Sequence, residues 1–288
     1  YGTFLTLCNP GDQVLIPDPG WPNFTMIASI QGLEAVRYPL RPQDRWVPKA
    51  EIIEPLITER TKLLLINSPS NPTGAALQDS DLKPLLELAA TESLWVVSDE
   101  VYDEMFFDGP VAPSAATVGD PERIVSVWSF SKTYAMTGWR VGYLRAPDSL
   151  MPLILKTPEA MTACVNAPAQ MAAVAALEGP QDCVARMRTS YRERRDRVSA
   201  LVDEGGIRHL APNGAFYTWI DISVTGMGSS DFVRRLLLES HVAVTPGRTF
   251  GPGSDDFVRL SLATEPSLLL DGTRRLVEAI REWSLTPQ

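Results

Sequence analysis

Short apolar runs, each closed by turn residues and many followed by a stretch with helical spacing, dominate the first half of the chain. The runs fall at 13–17, 35–38, 63–67, 94–98, 124–128 and 141–144 and are rich in Val, Ile and Leu. Several are apolar on both faces, as strands buried in a parallel sheet are. Between the third and fourth runs, Asp79 or Ser80 can cap a helix that carries Leu82, Leu85, Leu86 and Ala89 at spacings of three and four. Strand alternating with helix predicts a layered α/β domain, with a mostly parallel sheet flanked by helices. Ligand-binding groups then belong at the C-terminal ends of the strands.

The second half has a different texture. An Ala-rich helix is expected over 168–178, and a long helix over 182–201. The long helix carries a charged face of Arg186, Arg188, Arg192, Glu193, Arg194, Arg195, Asp196 and Arg197, read as solvated. Strands are expected at 214–222, 242–245 and 257–261, with helices at 230–240 and 266–283. This pattern suggests a smaller α+β domain packed on the first. At about 150 residues per domain, 288 residues give two, placed at 1–180 and 181–288.

Composition narrows the function classes. With 44% hydrophobic and 21% charged residues, the chain has the balance of a soluble globular protein. A net charge of -9 argues against a nucleic-acid or anionic-membrane partner. Cys8, Cys164 and Cys183 are odd in number and far apart, and with His209 and His241 as the only histidines no metal spacing exists. Free, mostly buried thiols are expected, in a reducing, cytoplasmic location. No apolar run reaches the ~18 residues of a membrane span. The chain opens on Tyr1 without Met, in a segment that reads as the middle of a helix, and is expected to start inside a domain.

Chemistry concentrates in four loops that follow predicted strands. One is Ser129-Phe130-Ser131-Lys132, with Arg140 eight residues beyond the lysine. Lys132 is one of only five lysines. Its amine suits a Schiff base with an aldehyde cofactor, while the serines and Arg140 suit that cofactor's phosphate. Another ends at Asp99, followed by Tyr102. A carboxylate closing an apolar strand is costly to bury without a partner, and a protonated pyridine nitrogen is such a partner. A third, Asn71-Pro72-Thr73-Gly74, projects the Asn71 amide from a turn. The fourth sets Trp21 just past a strand, where its ring can stack on a flat one. Each signal has a plainer reading: a core tryptophan, a common turn, an N-cap or ion pair for Asp99, a surface arginine. Their order and spacing along one chain carry the argument.

That order resembles the class I/II aminotransferases, the fold-type I pyridoxal-phosphate (PLP) enzymes of the aspartate aminotransferase superfamily, over nearly the whole chain. The resemblance implies that fold and an amino-group transfer between an L-amino acid and a 2-oxo acid through lysine-bound PLP. It implies that Lys132 forms the Schiff base and then moves the substrate proton. Trp21 would stack on the ring, and Asn71 and Tyr102 would hydrogen-bond its hydroxyl oxygen. Asp99 would pair with the pyridinium, while Ser129, Ser131 and Arg140 would hold the phosphate. Segments 213–217, 245–251 and 258–263 resemble motifs of the family's small domain. From the last, Arg259 would clamp the substrate carboxylate, with Asn71 and Trp21 beside it. Arg248 is a weaker candidate. A homodimer is implied as well. The family's usual N-terminal stretch, with a Gly-rich phosphate turn, is absent before Tyr1, so the isolated chain is expected to bind PLP weakly. Two alternatives remain at this level. One is a fold-type I lyase of the carbon–sulfur or aminocyclopropane-carboxylate synthase kind, against which the run Thr137 to Arg140 looks more transaminase-like. The other is an aminotransferase-like sensor domain of a transcription regulator.

Overall fold

The structure, a computed structural model, describes residues 1–284. In chain order the first half contains α1 (Gly2–Leu7), β1 (Gln13–Asp18), α2 (Pro22–Ile30), β2 (Glu34–Pro39), α3 (Ala50–Ile53) and β3 (Thr61–Asn67). It continues with α4 (Asp79–Thr91), β4 (Trp95–Asp99), α5 (Ala115–Val118), β5 (Ile124–Ser129), α6 (Phe130–Thr133) and β6 (Gly142–Arg145). The six strands form one sheet in the order β2-β1-β3-β4-β5-β6. The first five are parallel, and β6 runs antiparallel to β5. The apolar runs become the central strands because both their faces are covered. Leu15, Leu64 and Val96 point into one core, and Val14, Leu63, Leu65 and Val97 into another. Helix α4 starts one residue before the sequence pattern suggests. Gln78 is its N-cap, and its backbone N–H donates to the Asp81 carboxylate at 3.0 Å, half of a capping box.

The parallel register aligns the chemistry. Asn67 lies opposite Asp99, and Asp99 opposite Val127, so the C-terminal ends of β3, β4 and β5 share one edge. The reversed direction of β6 adds Arg140 to that edge. Ser129 at the end of β5 faces Gly142 at the start of β6, so the residues just before β6 return to the ligand-binding side. The alternating pattern did not announce this reversal.

Four helices follow: α7 (Met151–Ile154), α8 (Lys156–Thr162), α9 (Ala167–Glu178) and α10 (Asp182–Glu204). The second sheet then assembles from β7 (His209–Leu210), β8 (Tyr217–Asp221), α11 (Ser229–Arg235), β9 (Thr245–Pro246), β10 (Phe257–Ser261) and α12 (Pro266–Glu282). Its order is β7-β8-β10-β9, and all its pairs are antiparallel. Val198 and Val202 of α10 pack with Ile220, Phe232, Val258, Leu276 and Ile280. Three expectations shift. The strand expected at 214–222 starts at Tyr217, because 213–215 bond to the first sheet's loops instead. The strand expected at 242–245 shrinks to Thr245–Pro246, since only those residues face β10; Val242 fills the core without a ladder partner. The helix expected at 230–240 is α-helical to Arg235 and finishes as a π turn over Leu236–Ser240. The two-residue β7 gave no periodic signal.

A shared core joins the two sheets. Trp219 of β8 stacks on Phe257 of β10 at 5.5 Å, and Trp46 meets both rings edge-on. Phe250 and Trp219 belong to the same buried cluster as Leu15 and Leu64. No helix among the described residues is long and apolar enough to cross a membrane.

Candidate active site

A cavity of about 460 Å³ opens at the aligned strand ends. Its wall includes Trp21, Asn71, Asp99, Tyr102, Ser129, Ser131, Lys132, Arg140 and Arg259, every candidate site residue read from the sequence except Arg248. It also includes Asn67, Val101, Thr137 and Tyr217, none of which carries a role in the sequence reading.

Lys132 lies on α6, the single turn that follows β5. Ser129 caps this turn, its hydroxyl accepting from the Ser131 backbone N–H at 3.1 Å. The Lys132 amine has no hydrogen bond or ion pair among the described residues; the Phe216 and Tyr102 rings lie 5.5 and 5.9 Å away. Burial pushes its pKa below the usual lysine range, and the Arg259 and Arg140 charges push the same way. Arg140 sits at a left-handed φ of 55°, a conformation unusual outside glycine. Its guanidinium donates to the Thr137 carbonyl at 2.8 Å, and the Thr137 hydroxyl donates to the Ser131 carbonyl at 3.0 Å. The amine, two serine hydroxyls and an exposed guanidinium thus gather at one end of the cavity.

Asp99 occupies the floor. It is half-buried, and burial raises its pKa to about 7. A 3.4 Å hydrogen bond from the Val101 N–H opposes this, while neighbouring Glu100 adds to it. No cationic side chain forms an ion pair with Asp99 among the described residues. Glu100 points the other way. Its carboxylate accepts from the Ser114 and Ser126 hydroxyls and the Ala115 N–H, each at 3.1 Å. Three donors satisfy a buried charge and pin the loop that carries Tyr102.

The opposite wall comes from the second sheet. The Arg259 guanidinium donates to Asn71 Oδ1 at 2.8 Å and to the Thr245 hydroxyl at 3.2 Å, and it lies 4.3 Å from the Tyr217 ring centroid. Its Nε is buried without a partner. The Asn71 backbone N–H donates to Asn67 Oδ1 at 3.0 Å, and Asn67 Nδ2 donates to the Asp99 carbonyl at 3.1 Å. The Tyr102 and Tyr217 hydroxyls are 3.0 Å apart. Trp21, 39% exposed, lines the cavity with its ring nearly perpendicular to that of Phe24, 5.5 Å away. Arg248 lies outside the cavity wall and pairs with Asp255 at 3.2 Å.

These groups fit a flat, phosphorylated aldehyde. Lysine, serines and arginine match an aldehyde and a phosphate, and a carboxylate without a cationic partner matches a pyridinium. The family model "Aminotransferase class I and II" matches residues 1–280. The chain belongs to this family. An aspartate aminotransferase of Musicola paradisiaca is 37% identical, over 99% of this chain and 72% of that protein. An arginine–pyruvate transaminase of Pseudomonas aeruginosa is 36% identical, over 96% and 70%. Among solved structures, an aromatic aminotransferase from Pyrococcus horikoshii superposes with a TM-score of 0.94 at 33% identity, over 98% of this chain and 76% of that one. The fold is accordingly that of the fold-type I enzymes. The activity is amino-group transfer between an amino acid and a 2-oxo acid, with pyridoxal 5'-phosphate as cofactor.

Tyr217 was within reach of sequence reasoning, since it closes the 213–217 segment singled out there. Its alignment with Arg259 depends on the β8–β10 register, which no local pattern reveals.

Proposed function

We propose that this cavity is the transamination site and that the nine residues divide its work. Lys132 holds the cofactor covalently. Ser129, Ser131 and Arg140 take its phosphate, Asp99 its ring nitrogen, Asn71 and Tyr102 its ring oxygen, and Trp21 covers one ring face. When bound, pyridoxal phosphate supplies an electron-withdrawing ring that stabilises negative charge at the substrate α-carbon. Arg259 orients the substrate by its α-carboxylate, with Asn71 Oδ1 already fixing the guanidinium. Freed when the substrate amine displaces it, Lys132 Nζ would take the proton from the α-carbon and deliver it to the cofactor's former aldehyde carbon. Its lowered pKa suits this, because a larger fraction is neutral and able to accept a proton.

The observation that carries the reading is the convergence of all nine residues on one cavity from opposite ends of the chain. An absorbance titration with pyridoxal phosphate, run beside Lys132→Ala, tests it. The expected result is a visible band in the wild type alone, bleached on adding an amino acid. Absence of the band from the wild type at saturating pyridoxal phosphate, or its persistence in the variant, would overturn the assignment.

The wider setting belongs to the same proposal. The chain divides near residue 180, between α9 and α10, into cofactor-binding and smaller domains, as the change from a parallel to an antiparallel sheet supports. A homodimer is supported by the exposed apolar face of α9, formed by Met171, Val174 and Leu177. A cytoplasmic location is supported by three unpaired cysteines, although only Cys8 is buried and Cys164 and Cys183 are exposed, contrary to the burial expected of them.

A further inference from the structure

Tyr217 makes two contacts that no role assigned above requires. Its hydroxyl lies 3.0 Å from that of Tyr102, and both side chains are buried. Its ring lies under Arg259, 4.3 Å from the guanidinium carbon. The sheet register explains the second contact. Tyr217 pairs with Ser261 across β8 and β10, so Arg259 is its diagonal neighbour on the same face. Tyr217 therefore stands between the group assigned to the cofactor's ring oxygen and the group assigned to the substrate carboxylate.

We propose that Tyr217 is a positioning residue with two separable actions: its hydroxyl orients the Tyr102 phenol toward the cofactor's ring oxygen, and its ring holds Arg259 for the carboxylate. This rests on the cofactor placement argued above. In a hydroxyl pair one member donates. The guanidinium over the Tyr217 ring draws electron density from it and favours Tyr217 as donor. The Tyr102 proton is then free to donate outward, and the chain of two bonds strengthens it as a donor. The charged and titratable groups around the Tyr102 hydroxyl are Tyr217 from β8, Asp99 from β4, Arg259 from β10 and Lys132 from α6. Of these, Tyr217 is the one hydrogen-bonded to it.

The two actions separate in two variants. Y217F keeps the ring and removes the hydroxyl; Y217L removes both. The first readout is the pH midpoint of the visible band in cofactor-loaded protein. A weaker donor at Tyr102 leaves the linking nitrogen more basic, so both variants should move the midpoint up by about half a pH unit. The second readout is KM for whichever of L-aspartate, L-phenylalanine or L-arginine the wild type uses best. Y217L should raise KM about three- to thirtyfold through the lost cation–π contact, and Y217F less than about twofold. An unmoved or lowered midpoint in Y217F overturns the hydroxyl's role, and equal KM values in the two variants overturn the ring's. No Lys132-dependent band in the wild type would instead overturn the cofactor placement and, with it, this proposal.

Discussion

Burial at the end of β4 raises the Asp99 pKa to about 7, far above a free carboxyl. Between about pH 4 and 7 the folded, cofactor-free protein thus binds a proton that the unfolded chain releases. This contribution to stability is complete below the unfolded pKa and is lost as pH rises through 7. Asp103, also raised to about 7 by burial, acts in the same direction. Thermal melts of cofactor-free protein should accordingly fall in midpoint across this window, and Asp99→Asn should flatten part of the slope. A full slope in the variant would place the effect elsewhere. Pyridoxal phosphate should reverse the trend at this residue, since a ring cation beside Asp99 favours its charged form. The chemical types were legible here: a lysine after serines, a carboxylate ending an apolar strand, an asparagine in a turn. Their protonation was not, because it depends on what other segments cover.

At the scale of elements, the loop after β3 shows how a strand end becomes a binding wall. Asn213 Oδ1 accepts from the Ala76 N–H at 2.7 Å, and the Gly214 N–H donates to the Gly74 carbonyl at 2.9 Å. Gly74 has φ of +72°, and a Cβ there would sit 2.3 Å from Pro212 Cβ and 2.8 Å from the Tyr217 carbonyl. Gly74→Ala combines a left-handed backbone with a clash, each an unfavourable change of order 1–3 kcal/mol. It should lower the melting temperature and, by displacing Asn71, weaken pyridoxal phosphate binding in the absorbance titration. Unchanged affinity with lowered stability would show that the loop does not position Asn71. Elements with a strong local pattern, such as α10 with its charged face and the central strands with their continuous apolar runs, were readable. The direction of β6 and the shortness of β9 were not, since each is set by its pairing partner.

For the whole molecule, the junction between the sheets decides how the site is assembled. Trp219 is buried in the joint core against Trp46, Phe250 and Phe257, and Phe250 also lies 4.9 Å from the Arg259 guanidinium. Trp219→Ala should cost about 3–5 kcal/mol. Because both sheets share that core, calorimetry should show one shifted transition. Two separated transitions would mean that the sheets unfold independently. Legible from the residues alone were the α/β class, the strand-end placement of Asp99 and Lys132, and the set of residue types that a phosphorylated aldehyde needs. Those are local properties: periodicity, turn chemistry and side-chain reactivity over a few neighbouring residues. It took the folded chain to bring Arg140 back to the same edge through β6, to carry Arg259 from the second sheet to Asn71, and to set Tyr217 between Arg259 and Tyr102. These depend on strand direction and register between segments up to 188 residues apart, where the energy lies in packing and pairing that no short stretch of sequence contains.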